Sequence, residues 1–458
     1  PASDATSPNN SYSETYRIES YFGRLAADFA DKYYLEATWR TDGSSRFHRD
    51  HRWGQFWSLG GSWRLSEEGF MEDASWVNNR TLRLSYGELG NDDILTSTGA
   101  SNFYLWQSFY DLTYPNASLA GAVLSTLEST GISWETKGSW NVGLEGTFFD
   151  RLVDLTAEYY FSRTSDMLLS YPMAMSTGFT GYNANVGSMT NQGVEASIRV
   201  NWANKSNFRA NSTLMGYFNR NKVTALTETD EITYGSQVVK VGMPIYPYYV
   251  SKVAGVDPAN GQLLYYAYEK DENGEMVPGS EYVTSDQTAA NNSRYYVGSR
   301  QPLFQGSFGS EFYFGNFDFS FLTSFSVGGK VYDSVYATTM EPQYVGTNFS
   351  TNILRRWQKP GDVTDVPAVM LNSGRLAADR WLIDASYFAI KSVQLGYTLP
   401  TRWTEKAGIQ SLRIFATGDN IALFSKLNGM NPQYSTSGGT DFVYAPTRAI
   451  SVGIDINF

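Results

Sequence analysis

The sequence predicts an all-β fold, a transmembrane antiparallel β-barrel. Three observations support this fold class: long segments in which apolar and polar residues alternate, connections that are short and long in turn, and a composition rich in aromatic residues and glycine. Side chains of a strand point to its two faces in turn, so each alternating segment has one apolar and one polar face. In such a barrel the apolar face meets lipid and the polar face meets a wet lumen.

The composition excludes several classes of protein. None of the 458 residues is a cysteine, which rules out disulfides, zinc ribbons and thiol catalysis. The formal charge of −11 argues against a nucleic-acid partner, whose phosphates require a basic surface. Aromatic residues make up 16% of the chain, and 41 glycines against 15 prolines fit an all-β protein with many turns. No run of about 18 apolar residues occurs, so no transmembrane helix is predicted.

The alternating segments are predicted to be strands of about ten residues or more, which is longer than in most globular proteins and matches a tilted membrane crossing. In "VDLTAEYYF" the charged residues Asp154 and Glu158 alternate with apolar ones, and in "GVEASIRVNW" Glu195 and Arg199 do so. These four residues are therefore predicted to face the lumen. About thirteen strands are predicted, over 14–29, 33–41, 56–65, 81–89, 134–149, 152–163, 193–202, 208–222, 304–314, 317–330, 387–399, 412–423 and 447–458.

The connections between these segments alternate in length. Short ones are predicted at 30–32, 150–151, 204–207 and 315–316, and long ones at about 91–132, 166–191, 223–303 and 331–384. Short periplasmic turns and long extracellular loops are typical of outer-membrane barrels. Two connections on the short side, 66–79 and 400–410, are longer, and "PTRWTEKAGIQ" in the second is compatible with a helical turn.

The two ends of the chain fit a barrel portion. The start, "PASDATSPNNSYS", has neither an initiator Met nor a signal peptide, so we expect the mature or cleaved part of something longer. An odd number of strands is predicted to place the first residues on the extracellular side of the membrane and the last ones on the periplasmic side. The final strand alternates from Ile450 to Phe458, and its apolar face is predicted to meet lipid.

Several stretches resemble the C-terminal half of the SusC/RagA family of TonB-dependent outer-membrane transporters. They include "YFGRLAADFADKYYLEATWRTDGSSRF", "RWGQFWSLGGSWRLSEEGFM", "LRLSYGELGND", "STGFTGYNANVGSMTNQGVEASI", "RWQKPGDVTDVP" and "SLRIFATGDNIALFSK". The resemblance implies a barrel of roughly 22 strands whose lumen holds an N-terminal plug. Residues 1–458 would be its C-terminal portion, with the plug and the TonB box outside this chain.

The same resemblance implies a function. A SusD-like surface lipoprotein would cap the barrel, and the TonB complex would act through the plug. Together with the N-terminal plug and barrel portion, the chain would import oligosaccharides or oligopeptides across the lipid of a Bacteroidetes-type outer membrane. No bond would be made or broken, so neither an enzyme activity nor a cofactor is predicted. The alternatives are a passive porin or a surface binding or adhesion barrel, and a soluble carbohydrate-binding sandwich or propeller.

Aromatic residues in the predicted loops are the candidate substrate-binding residues. Rigid aromatic faces stack on sugar rings and hold peptide backbones at low entropic cost. The other interpretation is that the rings pack the loops together or form the interfacial girdle. The candidates are Phe103, Tyr104, Trp106, Tyr110, Tyr248, Tyr249, Tyr295 and Tyr296.

No metal site or catalytic site is predicted. His48 and His51 in "FHRDHRW" have a spacing that could hold a metal, but no third ligand accompanies them and the neighbouring Arg49 and Arg52 would repel a cation. No Ser, His and Asp arrangement suggests nucleophilic catalysis.

Overall fold

The computed structural model of the protein describes residues 13–94, 102–112, 114, 121–179, 181–227, 229–272, 274–340, 346, 348–369, 376–426, 431–434, 439 and 446–458. These residues hold three short α-helices, α1 (Gln287–Asn292), α2 (Ser334–Met340) and α3 (Thr401–Thr404), and none of them is long and apolar enough to cross a membrane. They also hold 24 strands: β1 (Ile18–Phe29), β2 (Tyr33–Ser44), β3 (Trp53–Arg64), β4 (Val77–Asn91), β5 (Phe109–Asp111), β6 (Val123–Thr126), β7 (Glu135–Phe148), β8 (Val153–Pro172), β9 (Gly181–Lys205), β10 (Phe208–Leu226), β11 (Glu231–Tyr234), β12 (Gln237–Lys240), β13 (Pro247–Val250), β14 (Lys252–Val256), β15 (Leu263–Ala267), β16 (Tyr282–Thr284), β17 (Tyr295–Ser299), β18 (Phe304–Phe314), β19 (Phe317–Val327), β20 (Lys330–Tyr332), β21 (Leu382–Asp384), β22 (Tyr387–Thr398), β23 (Ser411–Ser425) and β24 (Ala449–Asn457).

Thirteen strands form one sheet, in the order β1-β2-β3-β4-β7-β8-β9-β10-β18-β19-β22-β23-β24. Each of the thirteen predicted strands corresponds to one of them, which confirms the predicted all-β fold. One predicted loop, 166–191, is wrong, because β8 continues to Pro172 and β9 already begins at Gly181. The prediction fails there because "NANVGSMTN" has only two larger apolar residues, Val186 and Met189, and these fall on opposite faces, so the alternation is lost.

The four short connections lie where they are predicted. Ala30 and Asp31, between β1 and β2, have φ angles of 54° and 54°, and Asp150, between β7 and β8, has a φ of 54°. Left-handed residues of this kind match the twist of the two strands that a tight hairpin joins. The connection between β22 and β23 holds α3, as its sequence suggests. The end of the sheet at which these short connections lie is called the short-turn end below, and the opposite end is called the loop end.

The chain comprises two compact units. Unit 1 contains residues 1–196, 219–232 and 240–245, and unit 2 contains residues 197–218, 233–239 and 246–458. The long connections carry structure of their own: β5 and β6 pair within 91–132, β11–β17 and α1 lie within 223–303, and α2 lies within 331–384.

The fully buried apolar side chains lie mainly at the loop end and in the connections. In unit 1 a cluster is formed by Phe47, Phe56, Ile94, Leu105, Ile132 and Trp134. In unit 2 a second cluster contains Ala337, Met340, Val366, Ala378 and Trp381. The loops are therefore packed bodies with their own cores, and not loose excursions from the sheet.

One face of the sheet is apolar and uncovered. Leu25, Leu84 and Ile454 are each at least half exposed, although all three lie in the middle of strands. Aromatic rings pack across neighbouring strands on this face: the ring centroids of Tyr33 and Trp63 are 6.2 Å apart near the short turns. A sheet face of this size and composition requires an apolar environment.

The opposite face carries charges that are paired across strands. In unit 2, Arg413 of β23 donates from Nε and a terminal nitrogen to both carboxylate oxygens of Asp318 in β19, at 2.9 and 2.6 Å. Its other terminal nitrogen donates to Asp455 of β24 at 3.2 Å. Between β19 and β23 lies Gly396, where a Cβ atom would come within 2.4 Å of Asp318 Oδ1. A glycine at this position lets the ion pair cross the intervening strand β22.

Gly396→Ala should therefore destabilise the sheet by about 1–3 kcal/mol, because the new methyl group displaces the Arg413–Asp318 pair. Gly23→Ala is the matched control, since a Cβ atom there meets nothing within 4 Å. The measurement is the denaturant midpoint of the refolded protein in detergent. Equal midpoints for the two variants would show that the pair does not depend on Gly396.

Candidate ligand-binding site

Tyrosines of β13, of β17 and of the end of β15 form one cluster in unit 2, here called the tyrosine cluster: Tyr249, Tyr266, Tyr268, Tyr295 and Tyr296. Tyr249 of β13 and Tyr296 of β17 are cross-strand partners, and their rings stack at 4.7 Å. Tyr268 meets the edge of Tyr295 at 5.2 Å. Tyr296 is 36% exposed, so the stack presents a ring at the surface.

An ion pair lies within the tyrosine cluster. Lys252 Nζ is 4.6 Å from the ring centroid of Tyr266 and 5.2 Å from that of Tyr295. The same ammonium group is 3.7 Å from Glu281 Oε1, which also accepts a hydrogen bond from the Tyr295 hydroxyl at 2.8 Å. The cluster thus combines aromatic faces with a cation, a carboxylate and phenol hydroxyls, which suits a ligand that is partly apolar and rich in hydrogen-bonding groups.

Burial keeps these phenols protonated. Desolvation is the largest cause that raises the pKa of Tyr268 and of Tyr295, and the Glu281 carboxylate raises the pKa of Tyr295 further. Burial also raises the pKa of Tyr248 to about 12. The hydroxyls therefore act as hydrogen-bond donors throughout the physiological range.

Sequence reasoning found part of this cluster and missed the rest. Of the predicted binding residues, Tyr249, Tyr295 and Tyr296 belong to the cluster. Tyr248 does not present a ring at the surface, because it is 1% exposed and its hydroxyl donates to the carbonyl oxygen of Lys330 at 3.0 Å. Tyr266 and Tyr268 were missed, although the alternation in "LYYAY" places Tyr265 on the buried face of β15, Tyr266 on the other face, and Tyr268, one residue beyond the strand, on the same side as Tyr266.

The four aromatic candidates of unit 1 lie in a different setting. Phe103 packs against Tyr16 at 6.0 Å, and the hydroxyl of Tyr104 accepts a hydrogen bond from the backbone nitrogen of Thr15 at 2.7 Å. Trp106 meets the imidazole of His48 edge-on at 5.6 Å. These contacts hold the segment in place. Tyr110, on the β5–β6 hairpin, differs, because it is 63% exposed.

A buried charged group fastens this segment to the sheet. The Arg46 guanidinium lies over the rings of Tyr16 and Phe103, at 4.7 and 5.0 Å, and 2.8 Å from Asp93 Oδ1. Asp92 accepts hydrogen bonds from the hydroxyls of Ser44 and Tyr16, at 2.5 and 3.0 Å. The stretches "DGSSR" and "GND", which are far apart in the sequence, thus meet at the loop end of β2 and β4.

The predicted lumen-facing residues lie on the polar face of their strands. Glu158 is 3.9 Å from Arg83, which also pairs with Glu145 at 2.7 Å, and Asp154 accepts a hydrogen bond from Thr147 at 2.9 Å. In β9, Glu195 is exposed, and Arg199 donates to Asn201 two residues along at 3.3 Å.

The two histidines lie apart from any cation site. His48 Nδ1 is 3.2 Å from an Asp50 carboxylate oxygen, and His51 is exposed. In the part of the chain that the structure describes, no three His, Asp or Glu side chains lie close enough together to hold a metal ion.

A family model described as TonB-dependent receptor-like β-barrel matches residues 1–421. The chain belongs to this family. As a TonB-dependent receptor barrel, the chain is an outer-membrane β-barrel protein, and its uncovered apolar face is the lipid-facing one. The polar face with the paired charges is the face turned away from lipid.

Relatives agree with this assignment. TonB-dependent receptor P3 of Formosa agariphila is 26% identical over 475 residues, which cover 98% of this chain and 46% of that protein. SusC of Bacteroides thetaiotaomicron is 28% identical over 463 residues, covering 98% and 44%. The chain therefore spans a little less than half the length of these relatives. They are named as receptors, and their names describe no enzyme.

A solved structure shares the fold. The structure of the RagAB peptide transporter superposes with a TM-score of 0.82 at 23% identity, over 97% of this chain and 48% of that chain. The resemblance to the SusC/RagA family that the sequence suggests is thereby confirmed.

Asp92→Ala should open the loop segment 102–106. The Asp92 carboxylate accepts hydrogen bonds from Ser44 and Tyr16 and lies 3.4 Å from Arg46, so removing it should cost about 1–3 kcal/mol even though Arg46 keeps Asp93. Hydrogen exchange of residues 102–106 should accelerate accordingly. Asp365→Ala is the control, since its pair with Arg355 lies in unit 2, is exposed and should contribute less than about 1 kcal/mol. Unchanged exchange in Asp92→Ala would contradict the proposed fastening.

Alkaline pH should weaken unit 2 through Tyr248. An unfolded tyrosine ionises near pH 10, and the folded Tyr248 only near pH 12. Between these values the folded form binds a proton that the unfolded form has lost, so the free energy of unfolding falls as the pH rises. Thermal midpoints measured from pH 9.5 to 12 should fall less steeply in Tyr248→Phe than in the wild type. Tyr282→Phe, whose phenol is exposed, should keep the wild-type slope; equal slopes in all three proteins would refute the assignment.

Proposed function

We propose that this chain is the C-terminal barrel portion of a nutrient importer that takes up oligosaccharides or oligopeptides. In this proposal an N-terminal plug and the remaining strands complete the transporter, the TonB complex acts on the plug, and a SusD-like lipoprotein closes over the loop end. The family assignment and the names of the relatives support it: one relative is SusC, and one solved structure is described as a peptide transporter.

The tyrosine cluster is the observation that supports ligand capture most directly. Its surface stack, Tyr249 and Tyr296, offers a flat ring for a sugar face or a peptide backbone. Lys252 and Glu281 beside it supply charge-assisted hydrogen bonds. In unit 2 we assign substrate contact to Tyr249, Tyr295 and Tyr296, with Tyr248 as a buried support of the same body. In unit 1 the exposed Tyr110 is a separate candidate contact, and Phe103, Tyr104 and Trp106 would hold the segment that precedes it.

On the polar face, Asp154, Glu158, Glu195 and Arg199 would line the path that a released ligand follows. Paired charges suit such a path, because a neutralised wall does not retain a charged or polar solute. A passive porin or an adhesion barrel is the competing function, and it requires neither a lid nor an energised plug.

Mass spectrometry of the native, detergent-extracted complex tests the proposal. A plug-bearing chain and a lipoprotein should copurify, and retained small molecules should have the masses of glycans or peptides. If the barrel is recovered without either protein, the importer assignment fails and the porin or adhesion alternative takes its place.

Tyr296→Ala should weaken ligand binding about tenfold, because one stacked ring contributes on the order of 1 kcal/mol or more. The measurement is calorimetric titration with the ligand class recovered from the native complex. Tyr282→Ala, an exposed tyrosine outside the stack, is the matched control and should bind as the wild type does. Wild-type affinity in Tyr296→Ala would remove the stack from the binding site.

A further inference from the structure

Three basic side chains of unit 1 project from the lipid-facing side of the sheet. Tyr160 of β8 donates its hydroxyl to Asn219 of β10 at 2.8 Å, across the polar face. Because side chains alternate along a strand, Arg220 and Lys222 of β10 and Arg163 of β8 point to the opposite, lipid-facing side. All three are exposed.

The three cations lie at similar heights. Strands β8 and β10 run in the same direction, with β9 between them. Arg163 follows Tyr160 by three residues, and Lys222 follows Asn219 by three, both toward the loop end. Two strand spacings separate them, about 10 Å. That gap is within reach of two long side chains that converge on one group.

The cations stand at the margin of the apolar band. Trp140 of β7 pairs with Phe161 of β8, and Gly138 pairs with Arg163 two residues nearer the loop end. The ring of Trp140 also packs against that of Tyr86, with the centroids 4.7 Å apart, as part of an aromatic row of the kind found at membrane interfaces. This places the basic side chains at the height of the lipid headgroups on the loop side.

The neighbouring residues do not neutralise these three positive charges. Among the residues that the structure describes, none of the three side chains has an ion pair or a hydrogen bond to another residue. Glu88 faces the same side, opposite Gly138, and accepts a hydrogen bond from the Tyr86 hydroxyl at 2.8 Å. Three cations against one engaged carboxylate give a local positive patch on a chain of net charge −11.

We propose that Arg163, Arg220 and Lys222 bind a phosphate group of an outer-leaflet glycolipid. Guanidinium groups bind phosphate oxygens in pairs. The acyl chains of the same lipid would lie against the apolar band below, so one molecule would satisfy both surfaces. This inference rests on the outer-membrane location of the barrel and is independent of what the protein transports.

The test is native mass spectrometry of the full-length protein, purified in detergent and mixed with bis-phosphorylated lipid A. The variant Arg163→Gln/Arg220→Gln/Lys222→Gln should retain about tenfold less lipid than the wild type, or less still. The control Arg402→Gln/Lys205→Gln/Lys406→Gln removes the same charge at the short-turn end and should retain wild-type amounts. Arg163→Lys/Arg220→Lys keeps the charge and should retain most of the lipid, which separates charge from folding defects.

Two further arms identify the source of the phosphate. Dephosphorylated lipid A should be retained poorly by all variants, and millimolar inorganic phosphate should not displace the bound lipid. Equal lipid retention by the glutamine variant and the wild type would overturn the proposal. Displacement by inorganic phosphate would also overturn it, since the patch would then bind a soluble anion.

Discussion

The structure depends on one constraint: inside a bilayer, every backbone N–H and C=O group must be paired within the protein. In the thirteen-stranded sheet every strand between β1 and β24 is hydrogen-bonded to a neighbour on both sides, which meets that requirement for these strands. The period of two then divides each strand between lipid and lumen, so a single register error would turn a whole strand inside out. The ion pair that Arg413 makes across Gly396 is one device that fixes the register.

The same constraint explains where the cores lie. The sheet cannot bury its apolar face in protein, since lipid covers that face, so the apolar clusters around Phe47 and around Trp381 lie where the chain leaves the membrane. The loops of this chain are consequently the parts that resemble a soluble protein, with small sheets, short helices and buried ion pairs. The tyrosine cluster can hold fixed geometry because β13, β15 and β17 are anchored in such a body.

Much of this could be predicted from the sequence, and the remainder could not for physical reasons. Alternation located all thirteen strands, because lipid imposes the pattern strictly. It failed over residues 181–192 of β9, where the larger apolar residues Val186 and Met189 fall on opposite faces and no alternation remains. Tyr249 and Tyr296 could be named, but their partners Lys252 and Glu281 could not, since pairings between loop strands depend on tertiary contacts. Tyr248 appeared to be a surface aromatic residue and is buried, because a single tyrosine does not reveal which side of a short strand faces a core.

The most direct test of the account uses the absence of cysteine from the chain. Single cysteines placed at successive positions of β3, β4 and β9, including Ser58, Leu59, Ile198 and Glu195, can each carry a spin label in lipid bilayers. In a transmembrane barrel, accessibility to oxygen, which dissolves in lipid, should peak at Leu59 and Ile198. Accessibility to a water-soluble nickel chelate should peak at Ser58 and Glu195. A Glu195 label that is reached only from the lipid phase, or profiles without a period of two, would contradict the transmembrane barrel.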